Sequence, residues 1–272
     1  MMNASSLSSW LPLRAWAALA LLGALAGCAS QPGVGAMPGE LHTTSDDSDI
    51  RKRARTRLTL AASYFENGQT TVALDEMKKA LQIDPSFADI YNLGGLIYMK
   101  LGDPPLAQSH FERAIALDPA NANAMHNLGW LQCQQGQYAA AEQSFQRAIA
   151  VPAYQARAKT LMAQGICEAR GGDAASAEAT LMRSYELDAG NPITGYNLAQ
   201  LLYQRGDYTR AQFYIRRLNN SELANAQSLW LGIKVERRLG NRQAMDQLGS
   251  QLRRRFPQAR ELTAYERGAF DE

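Results

Sequence analysis

Few side chains in this 272-residue sequence are equipped for covalent or metal chemistry. There are three cysteines, Cys28, Cys133 and Cys167, and three histidines, His42, His110 and His126. A thiolate serves as a nucleophile, a metal ligand or half of a disulfide, and an imidazole moves protons near neutral pH. The spacing prepares none of these roles for catalysis. No His-x-x-x-His, Cys-x-x-Cys, glycine-rich phosphate loop or nucleophile elbow occurs. His42 falls in a Gly- and Ser-rich stretch, and His110 and His126 fall in helical sequence without a second ligand nearby. Acidic residues such as Glu112 and Glu142 recur beside bulky apolar positions and read as solvated helix faces. The reading is therefore a binding scaffold and not an enzyme, with no metal, no cofactor and no small-molecule substrate. A formal charge of +2, from 28 Lys+Arg and 26 Asp+Glu, gives no basic surface for nucleic acid.

What Cys28 does depends on what precedes it. Residues Leu13 to Ala26 are apolar apart from Arg14 and are too short to cross a bilayer comfortably, so they read as a cleaved export signal. The signal ends in Leu25-Ala26-Gly27-Cys28, which resembles the bacterial lipobox. There the thiol accepts a diacylglyceryl group and the preceding segment is removed. The expected products are a signal peptide of residues 1–27 and a chain lipidated at Cys28. An ordinary signal with an incidental cysteine is the alternative. Ala29, and not Asp, follows the cysteine, so the inner-membrane retention signal is missing. The expected location is the periplasmic face of the outer membrane. Residues 28–53 form the lipidated cysteine and a tether, rich in Gly, Pro, Ser and Asp up to residue 49. About twenty flexible residues span roughly 25 Å. The basic run from Arg51 to Arg57 reads as a solvated first turn of helix, with contact to anionic headgroups as the alternative.

The elements that must position everything else are announced by a ladder of six glycines. Gly68, Gly102, Gly136, Gly172, Gly206 and Gly240 are spaced by 34, 34, 36, 34 and 34 residues. Thirty-four is the period of the tetratricopeptide repeat, a helix–turn–helix unit. Other landmarks keep step. Five residues after each of the first five glycines comes Ala73, Ala107, Ala141, Ala177 or Ala211, and then a bulky Met77, Phe111, Phe145, Leu181 or Ile215. Small residues let the paired helices approach, and bulky ones fill the gaps between them. Units end in Ile83-Asp84-Pro85 and Leu117-Asp118-Pro119, since proline suits a helix start and not its interior.

The expected fold is thus an all-α tetratricopeptide-repeat superhelix of about six helix–turn–helix units. They are placed at 54–87, 88–121, 122–157, 158–191, 192–225 and 226–260, over the span 54–260. The last is degenerate, with Met245 where alanine is expected and many arginines. Two extra residues near Val151-Pro152-Ala153-Tyr154 lengthen one joint, and residues 261–272 read as a short tail that frays unless Tyr265 and Phe270 pack back.

First helices line the concave face of such a stack. By place in the period, the candidates for a peptide groove are Phe65, Asn92, Leu96, Met99, His126, Trp130, Met162, Ile166, Arg170, Tyr196 and Tyr203. His126 and Tyr196 lean to the groove, while Trp130 and Ile166 divide evenly between groove and inter-repeat core. Cys133 and Cys167 lie at similar heights on neighbouring first helices. In an exported chain they either pair as a disulfide or stay as buried reduced thiols.

Lipobox, tether and six repeats together resemble the PilF/PilW family of type IV pilus biogenesis lipoproteins. The resemblance rests on Ala61-Ala62-Ser63-Tyr64-Phe65-Glu66-Asn67-Gly68, on His126-Asn127-Leu128-Gly129-Trp130-Leu131-Gln132-Cys133 and on Gly165-Ile166-Cys167. It rests most on the run from Leu229 to Arg237 and on Arg255-Phe256-Pro257, which depart from the general repeat consensus. The paired cysteines also match the family pattern. The resemblance implies a pilotin, which binds type IV pilus secretin subunits and promotes their outer-membrane localisation and multimerisation. An envelope adaptor that recruits peptidoglycan enzymes or outer-membrane assembly factors is the alternative.

Overall fold

The chain divides into one unit ending at Asp46 and another beginning at Asp47. The computed structural model describes residues 47–270, which all lie within the second unit. Cys28, His42, the expected signal peptide and most of the expected tether lie outside the described residues. Among the described residues there are 13 α-helices and no strand.

Twelve of the helices form pairs. The first two pairs are α1 (Asp49–Glu66) with α2 (Thr70–Ile83) and α3 (Ala88–Leu101) with α4 (Pro104–Leu117). Next come α5 (Ala122–Gln134) with α6 (Tyr138–Ala150) and α7 (Arg157–Arg170) with α8 (Ala174–Leu187). The last are α9 (Pro192–Gln204) with α10 (Tyr208–Asn219) and α11 (Ala226–Arg238) with α12 (Arg242–Arg255), followed by α13 (Arg260–Arg267). Each helix packs on its successor. The odd-numbered first helices also touch one another along the whole stack, whereas the second helices of neighbouring pairs do not. The first helices therefore form the inner wall of a tetratricopeptide-repeat superhelix.

Local chemistry explains why each pair closes where it does. All six ladder glycines adopt φ between +72° and +88°, the left-handed region that a β-carbon opposes. At Gly102 the turn is closed by Asp103 N–H donating to the Tyr98 carbonyl (2.9 Å). The Asp103 carboxylate then accepts from Leu106 N–H (3.1 Å) and caps α4. Beyond the turn the paired helices cross closely. A β-carbon on Gly95 would stand 2.4 Å from the Phe111 ring, and one on Gly165 would stand 2.7 Å from Leu181. The facing alanines Ala73, Ala107, Ala141, Ala177 and Ala211 are all 0% exposed. The bulky row Met77, Phe111, Phe145, Leu181 and Ile215 is buried beside them.

Three features differ from the sequence expectation. First, α1 starts at Asp49, capped by Ser48, so the tether boundary at residue 53 falls inside a helix. The basic run is only partly solvated. Arg51 pairs with Asp84, Arg55 pairs with Asp47 (2.8 Å), and both guanidiniums lie over the Phe87 ring at 4.4 and 4.8 Å. Second, residues 261–267 of the expected tail are helical. They belong to α13, which packs on α11 and α12 with Leu262 buried. Tyr265 fills the space over Gly249, where a β-carbon would stand 2.3 Å from its ring. Third, the lengthened joint does more than space two units. It buries Tyr154, whose hydroxyl shares a hydrogen bond with Thr160 (2.8 Å). Arg157 closes the end of α6 by donating to the carbonyls of Ile149, Val151 and Pro152 at 3.1, 2.9 and 2.8 Å.

The crossing geometry makes two buried helical glycines behave oppositely. Gly95→Ala forces the Phe111 ring to move and is expected to cost about 1–3 kcal/mol. Gly195, with nothing within 4 Å of an added β-carbon, should gain up to about 1 kcal/mol on Gly195→Ala from helix propensity. Urea unfolding of both variants checks this, and equal midpoints would contradict the close-crossing account.

Candidate functional site

The repeat period sets rows of side chains along the first-helix face. One row runs Leu58, Asn92, His126, Met162, Tyr196 and Trp230, and a second runs Ala62, Leu96, Trp130, Ile166, Gln200 and Lys234. A third contains Phe65, Met99, Cys133 and Tyr203. Successive members come from neighbouring first helices, which are in contact.

Most of the predicted groove residues are half-buried, with one edge in the core. Phe65 packs on the core of the first two units, Leu96 and Met99 on the cluster around Phe111 and Leu128, and Ile166, Tyr196 and Tyr203 on the cluster around Leu198 and Ile215. Asn92 accepts a hydrogen bond from the Asn127 amide (2.9 Å). Met162 is half-buried and Arg170 is exposed. Arg170 places its guanidinium 5.1 Å from the centre of the Trp130 ring, so two predicted groove residues meet across α5 and α7.

His126 belongs elsewhere. It is 7% exposed, its Nδ1 lies 2.9 Å from the Thr160 hydroxyl, and its ring sits 5.9 Å from that of Phe145. Burial, helped by the nearby Lys159 charge, lowers its pKa to about 4, so it is neutral and serves the joint between units three and four. The groove assignment for His126 is corrected accordingly, because its ring is buried against Thr160 of α7, which Tyr154 of the lengthened joint bonds in turn. His110 is wedged between the rings of Tyr91 and Tyr98 (5.6 and 4.9 Å). Burial lowers its pKa too. No His, Cys, Asp and Glu group able to hold a metal occurs among the described residues.

Cys133 and Cys167 are joined by a disulfide, with Cα atoms 5.7 Å apart across α5 and α7. That separation lies inside the range a disulfide requires. The bond sits in a small core cluster with Phe145 and Trp130, and it fastens two neighbouring repeats directly behind the exposed face.

A cleft opens at the C-terminal end of this face. It has a volume of about 500 Å³ and is bounded by Tyr196 and Gln200 of α9, by Trp230, Leu231 and Lys234 of α11, and by Arg260 and Glu261 of α13. Phe270 stacks on Trp230 with centroids 5.4 Å apart, and Arg237 covers Phe270 at 4.2 Å. Trp230, Gln200 and Lys234 are absent from the sequence-derived groove set. The signal was there: Trp230 lies 34 residues after Tyr196, and Lys234 lies 34 after Gln200. Behind the cleft, Glu236 is 1% exposed and receives Arg216 at 2.7 and 3.1 Å, which locks α10 to α11.

Comparison with known proteins agrees with this architecture. Tetratricopeptide repeat models match residues 86–153 and 134–192, and a TPR repeat model matches 62–102. The type IV pilus assembly protein PilF of Pseudomonas aeruginosa is 26% identical over 207 residues, 76% of this chain and 82% of the relative. A solved structure of P. aeruginosa PilF is 28% identical with a TM-score of 0.71, covering 80% of this chain and 99% of that one. A structure of PilW, described as a widely conserved type IV pilus biogenesis factor, is 28% identical with a TM-score of 0.72 over the same shares. The chain is a PilF/PilW-like tetratricopeptide-repeat protein. Proteins of this fold are interaction scaffolds, and in this PilF/PilW-like chain the face available for interaction is the wall of first helices just described.

Two measurements probe how that wall is held. His126 has a folded pKa of about 4 against an ordinary 6.5, so the unfolded chain takes up the proton first. Its contribution to stability is complete above about pH 6.5 and is lost as pH falls through about 4, a change of up to about 3 kcal/mol. Urea midpoints across this window should fall more steeply for the native protein than for His126→Gln; parallel curves would refute the assignment. Reducing the disulfide, which closes a 34-residue separation, should lower stability by about 2–4 kcal/mol. Denaturation with and without reductant reads this directly, and the Cys133→Ala/Cys167→Ala double variant should no longer respond to reductant.

Proposed function

We propose that this protein is a scaffold of type IV pilus biogenesis that acts without enzymatic chemistry. Held at the periplasmic face of the outer membrane by a lipid on Cys28, it binds secretin subunits along its first-helix face. It thereby promotes their localisation and multimerisation. The observation that carries this reading is the likeness to PilF and PilW over about four-fifths of the chain, at TM-scores of 0.71 and 0.72. The lipid supplies the address: an acyl anchor on Cys28 holds the body near the membrane. A partner bound to the body shares that location at raised effective concentration. The inner wall supplies the contact, with half-buried aromatic and aliphatic edges at Phe65, Leu96, Met99 and Ile166 interleaved with polar groups.

Deletion of the gene should abolish heat-stable secretin multimers and twitching. Secretin multimers that persist at normal level in the outer-membrane fraction of the deletion strain would refute the reading. Cys28→Ser should move the protein from the membrane to the soluble periplasmic fraction, followed by fractionation and immunoblotting. In that strain the secretin should be found mislocalised.

A further inference from the structure

Along most of the first-helix face the polar groups are already used. Asn92 and Asn127 bond to each other (2.9 Å), His126 and Tyr154 both bond Thr160 (2.9 and 2.8 Å), and Arg170 covers Trp130. The cleft between α9, α11 and α13 is different. Lys234 stands over its aromatic floor, with Nζ 5.6 Å from the ring centres of both Tyr203 and Trp230. It has no carboxylate partner among the described residues. The acid on the cleft wall, Glu261, is engaged by Arg260 at 3.2 Å. The side-chain amides of Gln200 and Gln227, which also line the cleft, likewise have no hydrogen-bond partner among the described residues.

These groups define a ligand. An ammonium held between two rings and lacking a counterion is matched by a carboxylate, through a charge-assisted hydrogen bond. Two unpartnered amides, each a donor and an acceptor, match the alternating N–H and C=O groups of an extended backbone. The wall's taste for irregular chain is visible in the protein itself, where Phe270, beyond the end of α13, stacks on Trp230 beneath Arg237. We propose that this cleft takes an extended acidic segment of the partner protein, with an Asp or Glu carboxylate on Lys234 and the backbone on Gln200 and Gln227. The proposal rests on the reading that the first-helix face holds the partner, and it assigns the acidic contact to the C-terminal end of that face.

The test uses the full-length protein in cells with a photo-crosslinking residue at position 200, and at position 62 on α1 for comparison. Adducts are mapped by mass spectrometry. The expected result is an adduct from position 200 to a partner segment bearing Asp or Glu. Its yield should fall by about tenfold or more with Lys234→Glu and hold with Lys234→Arg. If Lys234→Glu lowers the thermal midpoint, Lys234→Gln, which keeps most of the stem and loses the charge, replaces it. Adducts from position 62 alone overturn the cleft assignment and leave the face as the partner site. Adducts from neither position overturn the underlying reading as well. Adducts from position 200 to lipid, to an uncharged segment, or indifferent to the loss of charge at Lys234 overturn the proposal.

Discussion

The whole structure depends on how closely the two helices of a pair can cross. At Gly95 the Phe111 ring occupies the place of the missing side chain, and at Gly165 Leu181 does the same. Close packing of this kind is rigid, because neither helix can slide or rotate without opening a void or forcing a clash. The angle within each pair is therefore set, and repetition converts a local angle into a continuous wall. The turn glycines serve the same constraint. Their positive φ returns the chain within a few residues, so that the second helix meets the first at the right height.

This explains what could be read in advance. The glycine ladder, the alanines after it and the bulky row are one-residue signatures of a steric requirement, and the 34-residue period made them visible together. The helix pairs follow from them directly. Tertiary capture was harder to see. Arg51 and Arg55 look like a solvated basic run until Asp84, Asp47 and Phe87 come near. The α13 segment carries no repeat landmark, yet its Leu262 and Tyr265 cover the apolar side of the last unit.

The candidate face divides in the same way. Register alone placed Asn92, Leu96, Met99 and Tyr196 on first helices, and they are half-buried there. His126 occupies the same register and is nevertheless buried, with its ring nitrogen on Thr160 of α7, a hydroxyl that Tyr154 of the lengthened joint also bonds. Trp230 has the register too, in a unit whose second helix departs from the consensus. Periodicity assigns a side chain to a face, and neighbours outside the period decide whether that face stays open. The disulfide between Cys133 and Cys167 ties together the two units on either side of this insertion, the one joint whose spacing is irregular.

The N-terminal arrangement has a mechanical consequence. The first described residues are bound twice over: Asp47 to Arg55 within the first unit, and Arg51 to Asp84 and Phe87 at the boundary with the second. Tension entering along the backbone at Asp47 is thus not borne by the first turn of α1 alone. It is shared with the link between α2 and α3, loading ion pairs and ring contacts together with the first turn of α1. The body resists being peeled from its leading end, where a stack built of nearest-neighbour contacts is otherwise weakest.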